Sequence, residues 1–470
     1  MPIFPPDSLA QWTGGRWTAA PVAPLAGFTM DTRQLGVGQV FVAIRTDRRD
    51  GHDFLPAAQS GGAGAAIVAR PNPAVSLPQL VVADPLAAFH AIARAHRRAF
   101  AGPVIGITGS AGKTSTKNLL ALLLGGEATA GAEPPVLATE GNLNNHLGVP
   151  LTLTRLDPAR HRFAVIEAGI SAPGEMQVLA DMIEPDIALT TLVAPAHLEE
   201  LGGIDGVARE KSRLSAAVRP AGVAIFPRQC DGFTAFHELG VRTMVVERAE
   251  VVRPAEPPKD KVYFTVTQRG DSTAIALAYG APPPLVFTLR RVSDGMAQNA
   301  VLAICAALWL GVTPVAIQAR LARWAPAALR GEWRQERGRR LFLDCYNANP
   351  ASMADALATF VAVAPAAEPR LFVLGGMEEL GAGAADYHRA LGRSLSLRPQ
   401  DFVFAIGDHA DAVRIGALEG GAKPAQVAVV TALEPVAERL ADFRGAAFLK
   451  GSRRWQLERA LEPAAAAAAR

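Results

Sequence analysis

Only three cysteines occur in 470 residues, Cys230, Cys305 and Cys345, far apart and without metal-ligand spacing. That excludes a disulfide framework, and free thiols in a reducing compartment are expected. Charge is also scarce. Charged residues make up 19%, the net charge is +3, and no basic block is interleaved with aromatics, so no nucleic-acid partner is expected. This balance merely suits anionic substrates. The opening MPIFPPDSLAQW lacks both the basic start and the apolar core of a signal peptide, so a cytoplasmic protein is expected. Residues 300–317 carry no charge over 18 positions, the minimum length of a membrane span. They are Ala-rich and interrupted by Gly311, Thr313 and Pro314, which reads instead as a roughly three-turn helix ending at a glycine cap, with no membrane span. Half of the residues are hydrophobic, which excludes disorder. Only 463–470, PAAAAAAR, is a low-complexity tail expected to fray.

The length suggests about three domains, each able to bury a core. Residues 26–83 alternate short apolar runs with turn-rich pieces, as a small α/β unit would, and a Pro-rich patch at 70–78 precedes a helical run at 86–99. The middle third repeats strand-then-helix patterns, for example at 163–166 and 187–192, as a mostly parallel sheet covered by helices would. Beyond Pro326 a polar stretch leads to strand patterns at 341–343, 371–374, 402–406 and 446–449, a Rossmann-like period. The expected architecture is α/β in three domains: a small N-terminal domain (1–84), a central P-loop ATPase domain with a mostly parallel sheet (85–326), and a C-terminal Rossmann-like domain (327–470).

The strongest motif is ITGSAGKTSTK, 107–117, where an apolar run stops at a Gly-rich loop ending in Lys-Thr. Gly109 and Gly112 would let backbone N–H groups, through Ser110, Ala111 and on to Ser115, point at an anion, and the following helix would add its positive end. Lys113 would reach the β/γ-phosphates of a nucleoside triphosphate and Thr114 would hold Mg²⁺. Ile107 stands where the full P-loop pattern has its first glycine, so the loop is the shorter G-x-x-G-K-T. Glu167 ends an apolar strand, where ligands of an open α/β sheet gather, and is a hard oxygen ligand suited to Mg²⁺.

Five segments together resemble the Mur ligases, the ATP-dependent amide-forming enzymes of peptidoglycan precursor synthesis. They are MDTRQLGVGQVFVAI with DGHDF (30–44, 50–54), TEGNLNNHLGVPLTL (139–153), FAVIEAGISAPGEM (163–176), APAHLEELGG with GVAREKSRL (194–203, 206–214), and LDCYNANPASM with FLKGSRRWQLE (343–353, 448–458). YNANP and KGSR are similar to the member of the series that adds D-alanyl-D-alanine. The resemblance implies ATP-dependent ligation of that dipeptide to a UDP-N-acetylmuramoyl-tripeptide through an acyl phosphate, by a monomer. A sibling amide ligase, such as a polyglutamate-adding enzyme, and a nucleotide-binding regulatory protein are the alternatives.

The resemblance also implies roles by position. Asp31, Thr32 and Arg33 would line the uridine-diphosphate site, with Arg33 as phosphate partner. Asn142, Asn144 and Asn145 would meet the muramoyl substrate and the metal surroundings. Two Mg²⁺ ions are implied, with Thr114 and Glu167 as ligands and His197 helping the second ion or orienting the substrate. Lys211 would be carbamylated by CO₂ and support that second ion. Arg330, Asp344, Tyr346, Asn347 and Asn349 would close on the nucleotide, and Lys450, Ser452 and Arg453 would hold the dipeptide carboxylate. The chain departs from the family pattern His-Asn-x-x-Asn-Ala, reading Gly295-Met296-Ala297-Gln298-Asn299-Ala300, so that Asn299 alone of the polar trio survives toward the base. Gly376 stands where an Asp is common and Thr191 where an Asn is frequent.

Overall fold

The computed structural model describes residues 2–125, 134–251, 260–280 and 282–462. The tail at 463–470 lies outside the described residues. The first sheet holds β1 (Arg16–Trp17), β2 (Phe28–Thr29), β3 (Val40–Val42), β4 (Ala65–Val68) and β5 (Gln79–Val81), in the order β1-β5-β4-β3-β2. The second holds β6 (Val104–Thr108), β7 (Val136–Ala138), β8 (Phe163–Glu167), β9 (Ile187–Thr190), β10 (Val223–Pro227), β11 (Thr243–Arg248), β12 (Lys261–Arg269), β13 (Ser272–Ala278) and β14 (Leu285–Arg290). Their order is β14-β13-β12-β11-β10-β9-β6-β8-β7. The third holds β15 (Glu332–Glu336), β16 (Arg339–Asp344), β17 (Arg370–Gly375), β18 (Phe402–Ile406), β19 (Val427–Val430) and β20 (Ala446–Lys450), in the order β15-β16-β20-β17-β18-β19.

Side-chain alternation explains why the parallel strands of the three sheets are covered on both faces. In the central sheet Ile105, Ile107 and Val165 join one core, with the helices Lys113–Leu123 and Asp294–Trp309, while Val104, Ala164 and Ile166 join the other. The C-terminal sheet divides likewise, Phe342, Phe372 and Phe448 to one side and Leu341, Leu343, Leu371 and Leu449 to the other. This period places Glu167, two residues after Val165, on the same face as the helix that carries Lys113 and Thr114.

One region departs from the sequence expectation, and in a second the expected helix ends at its glycine but begins earlier. β12, β13 and β14 form an antiparallel meander at the edge of an otherwise parallel sheet. β12 and β13 alternate buried and partly buried residues and β14 alternates buried and exposed ones, the signature of a sheet solvated on one face. The uncharged stretch at 300–317 is divided between a 16-residue helix, Asp294–Trp309, longer than three turns, and the helix Pro314–Leu321. Gly311 breaks the chain between them at φ 81°. Among the described residues no helix is long and apolar enough to cross a membrane, and all three cysteines are buried and free.

One buried ion pair outside the site is fully satisfied. Asp401 and Arg370 are buried at the start of β17, where one carboxylate oxygen accepts the Arg370 amide and the other accepts from its Nε and Nη2 at 3.0 and 2.5 Å. Removing one partner strands a buried charge. Asp401→Ala is expected to lower stability by about 3–5 kcal/mol, measured by urea unfolding, whereas an apolar replacement of both residues together is expected to cost much less.

Candidate nucleotide and ligation site

β6 lies between β8 and β9, so the loop that leaves it opens at the carboxyl ends of three parallel strands. Gly109 (φ 143°) and Gly112 (φ 80°) shape the turn. A Cβ on Gly109 would come within 1.8 Å of Thr191 Oγ1, and one on Gly112 within 2.4 Å of Asn299 Nδ2. Thr191 Oγ1 donates to the Ala111 carbonyl at 2.5 Å, so the residue that replaces a frequent Asn braces the loop. The first backbone bond into the helix runs from Thr116 N to Gly112 O, leaving the amides of Lys113, Thr114 and Ser115 as open donors. Ser110 differs from the expected cradle, because its amide donates to Leu192 O and its hydroxyl to Ala194 O. It ties the loop to the next strand end instead of facing an anion.

Lys113 is folded back, its Nζ donating to Gly109 O at 2.9 Å, and burial holds its pKa below the ordinary lysine value while the nearby Glu167 opposes that shift. Glu167 Oε1 accepts from Thr114 Oγ1 at 3.1 Å and from Asn144 Nδ2 at 2.8 Å. Its Oε2 is buried and has no partner. Lys117, which the sequence reading passed over, donates to Thr139 O at 2.5 Å, and the Thr139 hydroxyl accepts the Glu167 amide at 2.9 Å. Its signal was its place one turn after Lys113 on the same helix.

The C-terminal sheet presents its strand ends to this loop. Asp344 ends β16, Lys450 ends the adjacent β20, and their side chains meet at 2.5 Å. Lys450 also donates to Asn347 O, at 3.1 Å. Asn349 caps the helix Pro350–Val363 and reaches across to donate to Ser110 O at 3.1 Å. The Arg330 guanidinium sits 3.9 Å above the Tyr346 ring. A cavity of about 1020 Å³ lies between, lined by Ser110 to Ser115, Asn144, Glu167, Asn299, Arg330, Asp344, Tyr346, Asn347, Asn349 and Lys450.

Other predicted residues stand outside that lining. Asp31 is held by Arg33, which lowers its carboxyl to about 2, and both are accessible to solvent. Thr32 starts the short turn that Asp31 caps. Asn145 caps the chain through the amides of Leu147 and Gly148, and Asn142 is exposed. Ser452 accepts the Glu378 amide at 3.1 Å, and Arg453 pairs with Glu458. Lys211 lies on the helix Ile204–Ala216 and is buried, with no hydrogen bond or ion pair to its Nζ among the described residues. Burial and then Lys113 drive its pKa well below the ordinary value. His197 begins the short helix Leu198–Leu201 in a left-handed conformation, φ 52°.

A loop shaped for polyphosphate, beside a half-satisfied buried carboxylate and closed over by a second α/β unit, defines a nucleotide-using enzyme of the ATP-dependent ligase class. Residues 107–307 match the Mur ligase middle domain and 329–452 match the Mur ligase glutamate ligase domain. The UDP-N-acetylmuramoyl-tripeptide–D-alanyl-D-alanine ligase of Escherichia coli is 33% identical over 416 residues, 87% of each chain. A crystal structure of MurF from Acinetobacter baumannii superimposes with a TM-score of 0.85 at 29% identity, covering 98% of both chains. MurF from Thermotoga maritima, solved in complex with ADP, gives 0.76 at 25% identity over 93% of this chain and 96% of that one. The chain belongs to the Mur ligase family.

Gly109→Ala is expected to force both a strained φ and the clash with Thr191. ADP affinity should fall about 10- to 100-fold in calorimetry, with the fold retained by circular dichroism.

Proposed function

We propose that the protein joins D-alanyl-D-alanine to UDP-N-acetylmuramoyl-tripeptide with conversion of ATP to ADP and phosphate, forming the pentapeptide precursor of peptidoglycan. The observation that carries this reading is the meeting of the C-terminal strand ends with the phosphate loop, marked by the bond from Asn349 to Ser110 O, in a chain similar over 87% of its length to a ligase of that name. A carboxylate and an amine do not condense in water until the carboxylate gains a leaving group. The tripeptide carboxylate attacks the γ-phosphorus of ATP, the bond to the β,γ-bridging oxygen breaks, and ADP leaves. The dipeptide amine then adds to the acyl phosphate, loses a proton and expels phosphate through a tetrahedral intermediate.

Lys113 and the open amides of the loop would hold the phosphates and spread the charge of the transferring group. The donor set fits Mg²⁺: Glu167 offers a buried oxygen with no other partner, and Thr114 lies beside it. Mg²⁺ is normally bound through one or two carboxylates together with phosphates and water, which suits the absence, among the described residues, of any cluster of three or more His, Cys, Asp or Glu at metal-holding distance. When bound, the ion would neutralise phosphate charge. Asp344, Asn347 and Asn349 close the nucleotide side and exclude water, with Asn299 packed on Gly112 below. For Arg33, Asn142, Asn145, Ser452 and Arg453 the support is sequence position, their side chains being exposed or engaged with neighbours.

Lys211 fits carbamylation. A neutral amine adds to CO₂, forming an N–C bond and releasing a proton, and its depressed pKa keeps the Lys211 amine neutral at pH values where an ordinary lysine is charged. The product is a carboxylate-like group in a pocket that gives a cation no anionic partner.

Incubation with ATP, Mg²⁺, UDP-muramoyl-tripeptide and D-alanyl-D-alanine should give the pentapeptide by mass, with ADP and phosphate formed in step with it; no pentapeptide would overturn the assignment. Glu167→Gln is expected to lower kcat by about 10²- to 10³-fold. Removal of CO₂ should depress activity and bicarbonate should restore it. Acidification protonates Lys211 and drives the carbamate off, so activity should fall as pH falls. Lys211→Ala should be inactive and indifferent to bicarbonate, and full activity in that variant would exclude the carbamate.

A further inference from the structure

Outside the residues already assigned, one side chain from the C-terminal domain reaches the phosphate-loop region. Glu379 Oε2 lies 2.8 Å from His197 Nδ1, close enough for an ion pair although off the line of a hydrogen bond, and Nδ1 is buried with no other partner. Both residues are in the left-handed region, φ 52° at His197 and φ 64° at Glu379. Non-glycine residues stay there only when their surroundings hold them.

Each side of the contact is held. Around Glu379 the Met377 amide donates to His388 Nε2 at 2.9 Å, the Glu378 amide donates to Ser452 Oγ at 3.1 Å, and Gly381 sits so close to Glu199 that a Cβ would lie 3.2 Å from its side chain. On the other side, the segment leading to His197 is fixed to the phosphate loop by the bonds of Ser110 to Leu192 O and Ala194 O. Glu379 is also near enough to Lys113 for that ammonium to help hold its carboxyl below the usual range, after the larger effect of His197.

We infer that Glu379 is a positioning residue for ligation: carried in by the C-terminal domain, it fixes the imidazole of His197, so that the ring is set for work only when the two domains are docked. A carboxylate on one ring nitrogen orients the ring and leaves the other nitrogen free for a metal or substrate group. The inference rests on the ligase reading given above. Ser452 takes a second part in it, through the Glu378 amide that presents Glu379.

The test is a double-mutant cycle on the full-length enzyme. Glu379→Gln is expected to lower kcat about 10- to 100-fold with little change in KM for the UDP substrate, and Glu379→Asp to recover part of the loss. In a His197→Ala background, Glu379→Gln should add almost nothing. An equal loss in both backgrounds, or none in either, overturns the inference. A second readout needs no turnover: ¹⁵N shifts of the His197 ring in nucleotide-free protein should show one tautomer in the wild type and a mixture in Glu379→Gln. Identical spectra overturn the inference. Absence of pentapeptide from the wild-type enzyme would instead count against the ligase reading, and the ring spectra would still decide the contact.

Discussion

Glu167 is buried at the end of β8 with one carboxylate oxygen bonded to Thr114 and Asn144 and the other bonded to nothing. A buried acceptor left without a partner costs about 1–3 kcal/mol, and more when charged. The surrounding structure sustains that cost: β6 and β7 hold the strand in register, Thr139 takes the Glu167 amide, and Lys117 holds Thr139 from behind. The phosphate loop, Lys113 and the first turn of its helix are arranged around the same point. A bound cation would satisfy the free oxygen of Glu167, which suits a site for polyphosphate chemistry.

The second constraint is that the site belongs to two domains. The central domain supplies donors, one carboxylate and a buried lysine with a depressed pKa; the C-terminal domain supplies Asp344, Asn347, Asn349 and Lys450 from strand ends that face the loop. Asn349 both caps its own helix and bonds Ser110 O, so the local stability of the Pro350–Val363 helix and the closure of the site share one side chain. An acyl phosphate formed in such a cleft is separated from bulk water by the same contacts that assemble the site.

Much of this was legible from residue pattern. The apolar runs at 104–107 and 163–166 are strands because alternate residues feed two cores, and the Gly-Lys-Thr turn follows because only glycine accepts φ 143° and 80° there. The antiparallel meander of β12 to β14 was less legible, since its half-polar strands lack the continuous apolar runs of a parallel sheet. The bracing role of Thr191, the diversion of Ser110 to Leu192 and Ala194, and the function of Lys117 depend on partners 22 to 84 residues away. No local pattern records such pairings.

The sequence by itself determined the doubly covered sheets, the phosphate loop and the family, because these rest on side-chain period, on glycine's conformational range and on short contiguous motifs. The tertiary structure decided which polar groups are spent and which are left over. Lys211, flanked in sequence by Glu210 and Arg213 as on a solvated face, is buried without an anionic partner, while Lys450 is committed to Asp344. Burial and pairing are set by which elements pack together, and a side chain's chemistry follows from the solvent and partners that packing leaves it.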